Sequence, residues 1–137
     1  MIYFKGDGTH RGKIGVTPQR SKGIAGSYDA DGQVLSIVTY NVQEAPSGFV
    51  NSMWEIQEEP YAGDVINAYN DGSPGPGLDP LGPFYEIETS SPAAALKSGE
   101  MIRHLQQTFH FQGSPSALNK IAIPSVSYTH LTLPTIA

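Results

Sequence analysis

Apolar residues in this chain come in short runs, most of them bounded by glycine or proline, with 15 Gly and 11 Pro in 137 residues. Punctuation at that spacing is what a many-stranded β protein needs for its turns. Residues 33–41 read Gln-Val-Leu-Ser-Ile-Val-Thr-Tyr-Asn, rich in β-branched and aromatic side chains. Val34, Val38 and Tyr40 fall on one face of the expected strand, and Leu35 and Ile37 on the other, so the strand should be covered on both sides. Asp29-Ala30-Asp31-Gly32 is a turn signal that makes Gly23 to Tyr40 a hairpin. Residues 49–57 alternate Val50, Trp54 and Ile56 against Asn51, Met53 and Glu55, a second strand by period. Further strands are expected over Asp64 to Asn70, Phe84 to Ser90 and Glu100 to Phe111, and the Gly- and Pro-rich stretch Asp71 to Pro80 should be a loop. Ser114-Pro115 has the form of an N-cap followed by proline at the first helical position, opening a short helix through about Ala122. The pattern predicts a mainly β chain with six or more strands and one short C-terminal helix.

Charge narrows the function classes. The net charge is −5, and five of the eight Lys and Arg residues fall between Lys5 and Lys22. No basic residue occurs from Gly23 to Leu96, where eleven of the thirteen acids lie. A nucleic-acid partner requires clustered positive charge, so that class is set aside. No window approaches the roughly 20 apolar residues of a membrane-spanning helix, and the start lacks the basic and apolar regions of a signal peptide. Without cysteine there is no disulfide framework and no thiolate chemistry.

Several constellations invite a chemical reading. Glu86 and Glu88, two residues apart on one strand face, resemble a carboxylate pair, although glycosidase pairs usually come from different strands. Asp64, Asn67, Asn70 and Asp71 supply hard oxygen atoms, but their spacing departs from the calcium-loop pattern and Asp71-Gly72 is ordinary turn chemistry; no metal and no cofactor are expected. Lys5-Gly-Asp-Gly-Thr-His-Arg-Gly12 fits no phosphate-loop pattern and reads as a turn between strands, with His10 and Arg11 as candidate contacts to the hydroxyls or carboxylate of an acidic sugar. Trp54 suits stacking on a pyranose, but its apolar neighbours at alternate positions assign it to the core. Asn51 and Glu55, on the opposite face, are then the candidates for a polar cleft.

From Phe4 to Ala122 the chain resembles an uncharacterised bacterial family of unknown function with a galactose-mutarotase-like fold. The resemblance is carried by Phe4-Lys-Gly-Asp-Gly, Lys13-Ile-Gly, Gly26-Ser-Tyr-Asp, Tyr40-Asn, Val50-Asn-Ser-Met-Trp-Glu-Ile-Gln-Glu-Glu-Pro-Tyr, Gly63-Asp-Val-Ile-Asn-Ala-Tyr-Asn-Asp-Gly and Leu81-Gly-Pro-Phe-Tyr-Glu-Ile-Glu-Thr-Ser-Ser-Pro. It implies that residues 1–122 are the C-terminal portion of an antiparallel β-sandwich, part of a supersandwich in a longer, secreted or periplasmic parent. A wider likeness joins aldose 1-epimerases through Glu88-Thr89, the turn Leu96-Lys-Ser-Gly-Glu100 and the strand after it, with Ser98 where proline is usual. That alignment implies Glu88, with Glu86 as fallback, as the base that removes the anomeric proton, and a histidine as the acid. His104 and His110 share a strand face, and His104 is retained as a candidate substrate contact. A carbohydrate ligand follows as the expected partner, bound either by an epimerase-like enzyme in the complete protein or by a non-catalytic glycan- or partner-binding module. The oligomeric state is left open.

Residues 126–135, Val-Ser-Tyr-Thr-His-Leu-Thr-Leu-Pro-Thr, are similar to the translation of a transposase mosaic-end adapter used in sequencing libraries. Residues 123–137 are therefore expected to be a non-native or disordered tail, with native sequence ending between Ala122 and Ser125.

Overall fold

A computed structural model describes residues 2–43 and 47–126. In chain order it contains β1 (Gly12–Val16), β2 (Ile24–Asp29), β3 (Val34–Tyr40), β4 (Ile66–Asn70), β5 (Tyr85–Thr89), β6 (Gln106–Gln112) and α1 (Pro115–Val126). The strands form two three-stranded antiparallel sheets, ordered β2-β3-β6 and β1-β4-β5, so the expected mainly β class with one C-terminal helix holds. The described residues divide into two compact units, one of residues 2–3, 24–39 and 107–126, the other of residues 4–23, 40–43 and 47–106.

In the first unit the predicted hairpin forms, with Ile24 opposite Thr39 and Asp29 opposite Val34. Its turn is closed by Asp29, whose Oδ1 accepts the N–H groups of Asp31 and Gly32 at 3.0 and 3.1 Å. This is the local side-chain bond that makes aspartate a turn residue. Leu35 and Ile37 bury one face of β3 against Leu118 and Ala122 of α1, with Ile24, Phe111 and Ile121 at the margin. The helix starts as its sequence dictates: Ser114 Oγ accepts the Ala117 N–H at 3.3 Å, and Pro115 occupies the first helical position. Leu118, Ile121 and Ala122 then recur at helical spacing on the buried side. The helix runs to Val126 and so overshoots the expected end near Ala122, with Pro124 inside its last turn. Proline cannot donate to the carbonyl four residues back, here that of Lys120; in the same turn the Ile121 carbonyl accepts the Ser125 hydroxyl at 2.8 Å. The expectations for residues 127–137 lie outside the described residues.

In the second unit β4 is the central strand, running antiparallel to β1 from Gly12↔Asn70 to Val16↔Ile66. On its other side it pairs with β5 from Ile66↔Thr89 to Asn70↔Tyr85. Phe49, Val65, Ile66 and Tyr69 are buried here, and so are Asn67, Asn70 and Asp71. The Gly- and Pro-rich stretch after Asp71 is a loop, as its composition requires.

Two expected strands are corrected. Residues 49–57 are not a strand: Phe49 makes one isolated parallel bridge to Ala62, and Ile56 is fully exposed. The segment folds back on itself because its polar groups bond locally. Asn51 Oδ1 accepts the Met53 N–H at 3.0 Å, and the Asn51 N–H donates to the Pro60 carbonyl at 2.8 Å. The last long strand begins at Gln106 rather than Glu100. Before it, side chains stand in for a ladder: Asn41 Oδ1 accepts the Leu105 N–H at 2.7 Å, and Gln43 Nε2 donates to the Arg103 carbonyl at 2.8 Å.

Candidate functional site

Alternation along the sheet β1-β4-β5 sorts its side chains by parity. Lys13, Gly15, Asn67, Tyr69, Glu86 and Glu88 share one face, in the cross-strand rows Lys13–Tyr69–Glu86 and Gly15–Asn67–Glu88. The opposite face carries Ile14, Val16, Ile66, Ala68 and Ile87, as an alternating antiparallel sheet requires; what sets the polar face apart is that Lys13, Asn67 and Tyr69 on it are largely buried.

Lys13 is the centre of this arrangement. Its side chain is only 11% exposed, and Nζ lies 3.3 Å from Glu88 Oε2 and 3.3 Å from the Ser52 carbonyl. The ammonium also sits 5.5 Å from the Trp54 ring centroid and 5.8 Å from that of Tyr69, within the range of cation–π attraction. Trp54, which alternation placed in the core, is instead 51% exposed. It meets Tyr69 edge to face at 5.4 Å and carries the Arg11 guanidinium 4.4 Å above its ring. The loss of the strand over residues 49–57 explains that correction, because a loop imposes no inward face.

Tyr69 is held from behind. Its hydroxyl donates to Asp71 Oδ1 at 2.5 Å, and Asp71 Oδ2 accepts the Gly82 N–H at 2.7 Å. The Tyr69 hydroxyl draws the Asp71 carboxyl below its usual range, helped by backbone N–H groups of Gly82, Gly72 and Leu81 and opposed by burial. The same bond, together with burial and the charge of Asp71, raises Tyr69. Asp71 thus ties the ring that flanks Lys13 to the loop that follows β4. Gly72 makes this possible, since a Cβ there would strike the backbone of His10 and Arg11.

At the other end of the face, the Asp64 carboxylate rests on Gly15, where any Cβ would collide with it. Burial raises the Asp64 carboxyl above its usual value. Beside Gly15, Asn67 is 4% exposed and its Oδ1 has no hydrogen-bond partner among the described residues. An unpaired buried acceptor of this kind costs roughly 1–3 kcal/mol.

The expected site residues separate. Glu88 and Glu86 do share a face, Glu88 paired with Lys13. Arg11 joins them through Trp54. His10 does not: its Nδ1 lies 3.3 Å from Asp7 Oδ1 and 3.2 Å from Asn70 Nδ2. Asn70 is wholly buried and binds residues 7–10, accepting the Gly8 N–H at 2.8 Å and donating to the His10 carbonyl at 2.7 Å. Asp7 is pulled well below the carboxylate range, first by Lys5 at 2.7 Å and then by Thr9. Asn51 spends its amide inside its own loop, donating to Gln57 Oε1 at 3.3 Å, and Glu55 lies exposed in that loop. His104 Nε2 is 2.9 Å from Thr89 Oγ1. Thr89 neighbours Glu88 in sequence and therefore belongs to the opposite face of β5. His110 lies in the other unit, 2.8 Å from Ser36 Oγ. The four oxygen-bearing side chains considered for a cation do not converge: Asn70 is bound to residues 7–10 and Asp71 to Tyr69 and Gly82, Asp64 rests on Gly15, and Asn67 Oδ1 stays unpaired.

With this geometry established, comparison places the sequence. The pattern of a family of unknown function, DUF6786, matches residues 1–133. The chain belongs to DUF6786. The match includes residues 126–133, which sequence reasoning had set apart as adapter-like. No curated protein and no solved structure matches the chain. The DUF6786 chain carries its candidate chemistry on the Lys13 face.

Proposed function

We propose that the Lys13–Trp54–Glu88 face of the sheet β1-β4-β5 binds carbohydrate. The observation that carries this reading is the half-exposed Trp54 indole set beside a lysine–carboxylate pair. A sugar ring offers an apolar C–H surface and a rim of hydroxyls. An amphipathic aromatic covers the first, while carboxylate acceptors satisfy the second. Glu86 and Glu88 accept hydrogen bonds from hydroxyls, and Lys13 holds the Glu88 carboxylate in place. Calorimetric titration of the chain with a panel of oligosaccharides tests this, with Trp54→Ala as the comparison. At least one glycan should bind, and Trp54→Ala should weaken it by about tenfold or more, the loss of one well-packed aromatic contact. Equal binding by both proteins removes Trp54 from the site.

A second reading, aldose-epimerase-like catalysis in a longer protein with Glu88 as base, is favoured by one observation: Glu88 is 43% exposed and so open to a sugar hydroxyl. The acid would come from outside the described histidines, since His10 and His104 are engaged elsewhere. Glu88→Gln in the full-length protein separates the readings. Anomer exchange that persists after this change excludes Glu88 as the base.

A further inference from the structure

We propose that the glycan bound at this face is anionic, a uronic-acid-bearing sugar, and that Arg11 is the residue that selects it; this rests on the glycan-binding reading above. Arg11 lies one residue before β1 and has the same parity as Lys13 and Gly15. Its guanidinium centre stands 4.4 Å above the Trp54 ring. One face of the indole is therefore already covered, and what the platform offers a ligand there is guanidinium rather than bare aromatic surface.

The Arg11 guanidinium is held over the ring by cation–π attraction, and its N–H groups remain available to a ligand. A guanidinium fork suits the two oxygens of a carboxylate. Among the described residues no carboxylate pairs with Arg11, and its side chain is exposed. The other cation of the site is not free in this way, because Lys13 is buried against Glu88 and the Ser52 carbonyl. Among the described residues, Arg11 is thus the one cation of this face that a ligand can engage without first breaking an ion pair.

The acids of the face set the orientation. Along β1 the rows run from Arg11 through Lys13, opposite Tyr69 and Glu86, to Gly15, opposite Asn67 and Glu88. Each step of two residues advances about 7 Å. The positive end and the acceptor end of the face are therefore separated by roughly the length of one or two sugar rings. A ligand carrying a carboxylate at one end and hydroxyls at the other matches this polarity. Reversing it would set the carboxylate against Glu86 and Glu88.

The test uses three probes with the whole chain: an oligouronide, its fully methyl-esterified counterpart, and the corresponding neutral oligohexose. The ester keeps the size of the uronide and removes its charge. The acid should bind at least tenfold more tightly than the ester at low salt, and the difference should shrink as salt is raised. Arg11→Gln should abolish that preference, the acid losing at least tenfold more affinity than the ester, and Arg11→Lys should retain part of it. Circular dichroism of each variant guards against misfolding. Equal affinity for acid and ester, or a preference that survives Arg11→Gln, overturns the selection of an anionic sugar and leaves the glycan site standing. Failure of all three probes to bind overturns both.

Discussion

The two sheets of this chain solve the same problem in opposite ways. In the β2-β3-β6 sheet, Leu35 and Ile37 are closed off by Leu118 and Ala122 of α1, and the covered face is apolar. In the β1-β4-β5 sheet, the face bearing Lys13 buries an ammonium stem, an unpaired amide and a partly desolvated carboxylate. Burying polar groups costs free energy that apolar side chains would not. The first sheet follows the hydrophobic pattern and gains stability from it. The second departs from the pattern where Lys13, Asn67 and Glu88 meet, and such departures concentrate at functional sites.

If that contrast is right, substitutions should separate the two regions. The largest effect is expected at Leu118, which is 3% exposed in the apolar core. Leu118→Ala should cost about 2–5 kcal/mol in urea denaturation, the usual range for a large-to-small core change. The ring of Tyr69 and the loop after β4 depend on Asp71, so Asp71→Asn should also lower the urea midpoint clearly. Its distinguishing mark is pH. The folded Asp71 carboxyl is held below its unfolded value of about 4. Its contribution is therefore complete above pH 4 and is lost as pH falls through the lowered value. Asp64 has the opposite sign, because burial raises it. Its relative contribution is present below about pH 4 and is lost as pH rises through the raised value. Urea midpoints measured from about pH 2.5 to 6 should show Asp71→Asn flattening the acid limb and Asp64→Asn flattening the limb above pH 4. Identical profiles for both variants would break the distinction.

Smaller effects should follow at Gly15 and Ser114. Gly15→Ala forces the Asp64 carboxylate from its seat and should cost about 1–3 kcal/mol, as overpacking does. Ser114→Ala removes the N-cap of α1 and should cost about 1 kcal/mol. A Gly15→Ala protein as stable as the wild type would mean that Asp64 moves aside freely.

The same comparison explains what the sequence could reveal. The hairpin, the helix start, the 71–80 loop and the central β4 strand were legible because each is set by local chemistry. Asp29 closes a turn, Ser114 caps a helix, and glycine and proline stop regular structure. Residues 49–57 misled because period two is also met by chance in a loop, and the bonds that decide the matter run from Phe49 and Asn51 to residues 60–63. The pairing of Glu86 and Glu88 on one face followed from parity alone. Their cation did not, because Lys13 reaches Glu88 across β4 from 75 residues away in sequence. One signal was present: five of the eight basic residues lie in the segment just before the acidic stretch. Asn51 and Glu55 followed from a strand alternation that the 49–57 loop does not keep, while His10 is engaged with Asp7 and Asn70 and His104 with Thr89.

Trp54 is the single tryptophan of the chain, so its fluorescence reports on the proposed site alone. Titrating the folded protein with an oligouronide tests the central claim most directly. A saturable change in Trp54 emission, with its midpoint moved at least tenfold higher in Arg11→Gln, is the result the account predicts. Emission unchanged at saturating ligand, with binding shown by calorimetry, would place the ligand elsewhere and contradict it.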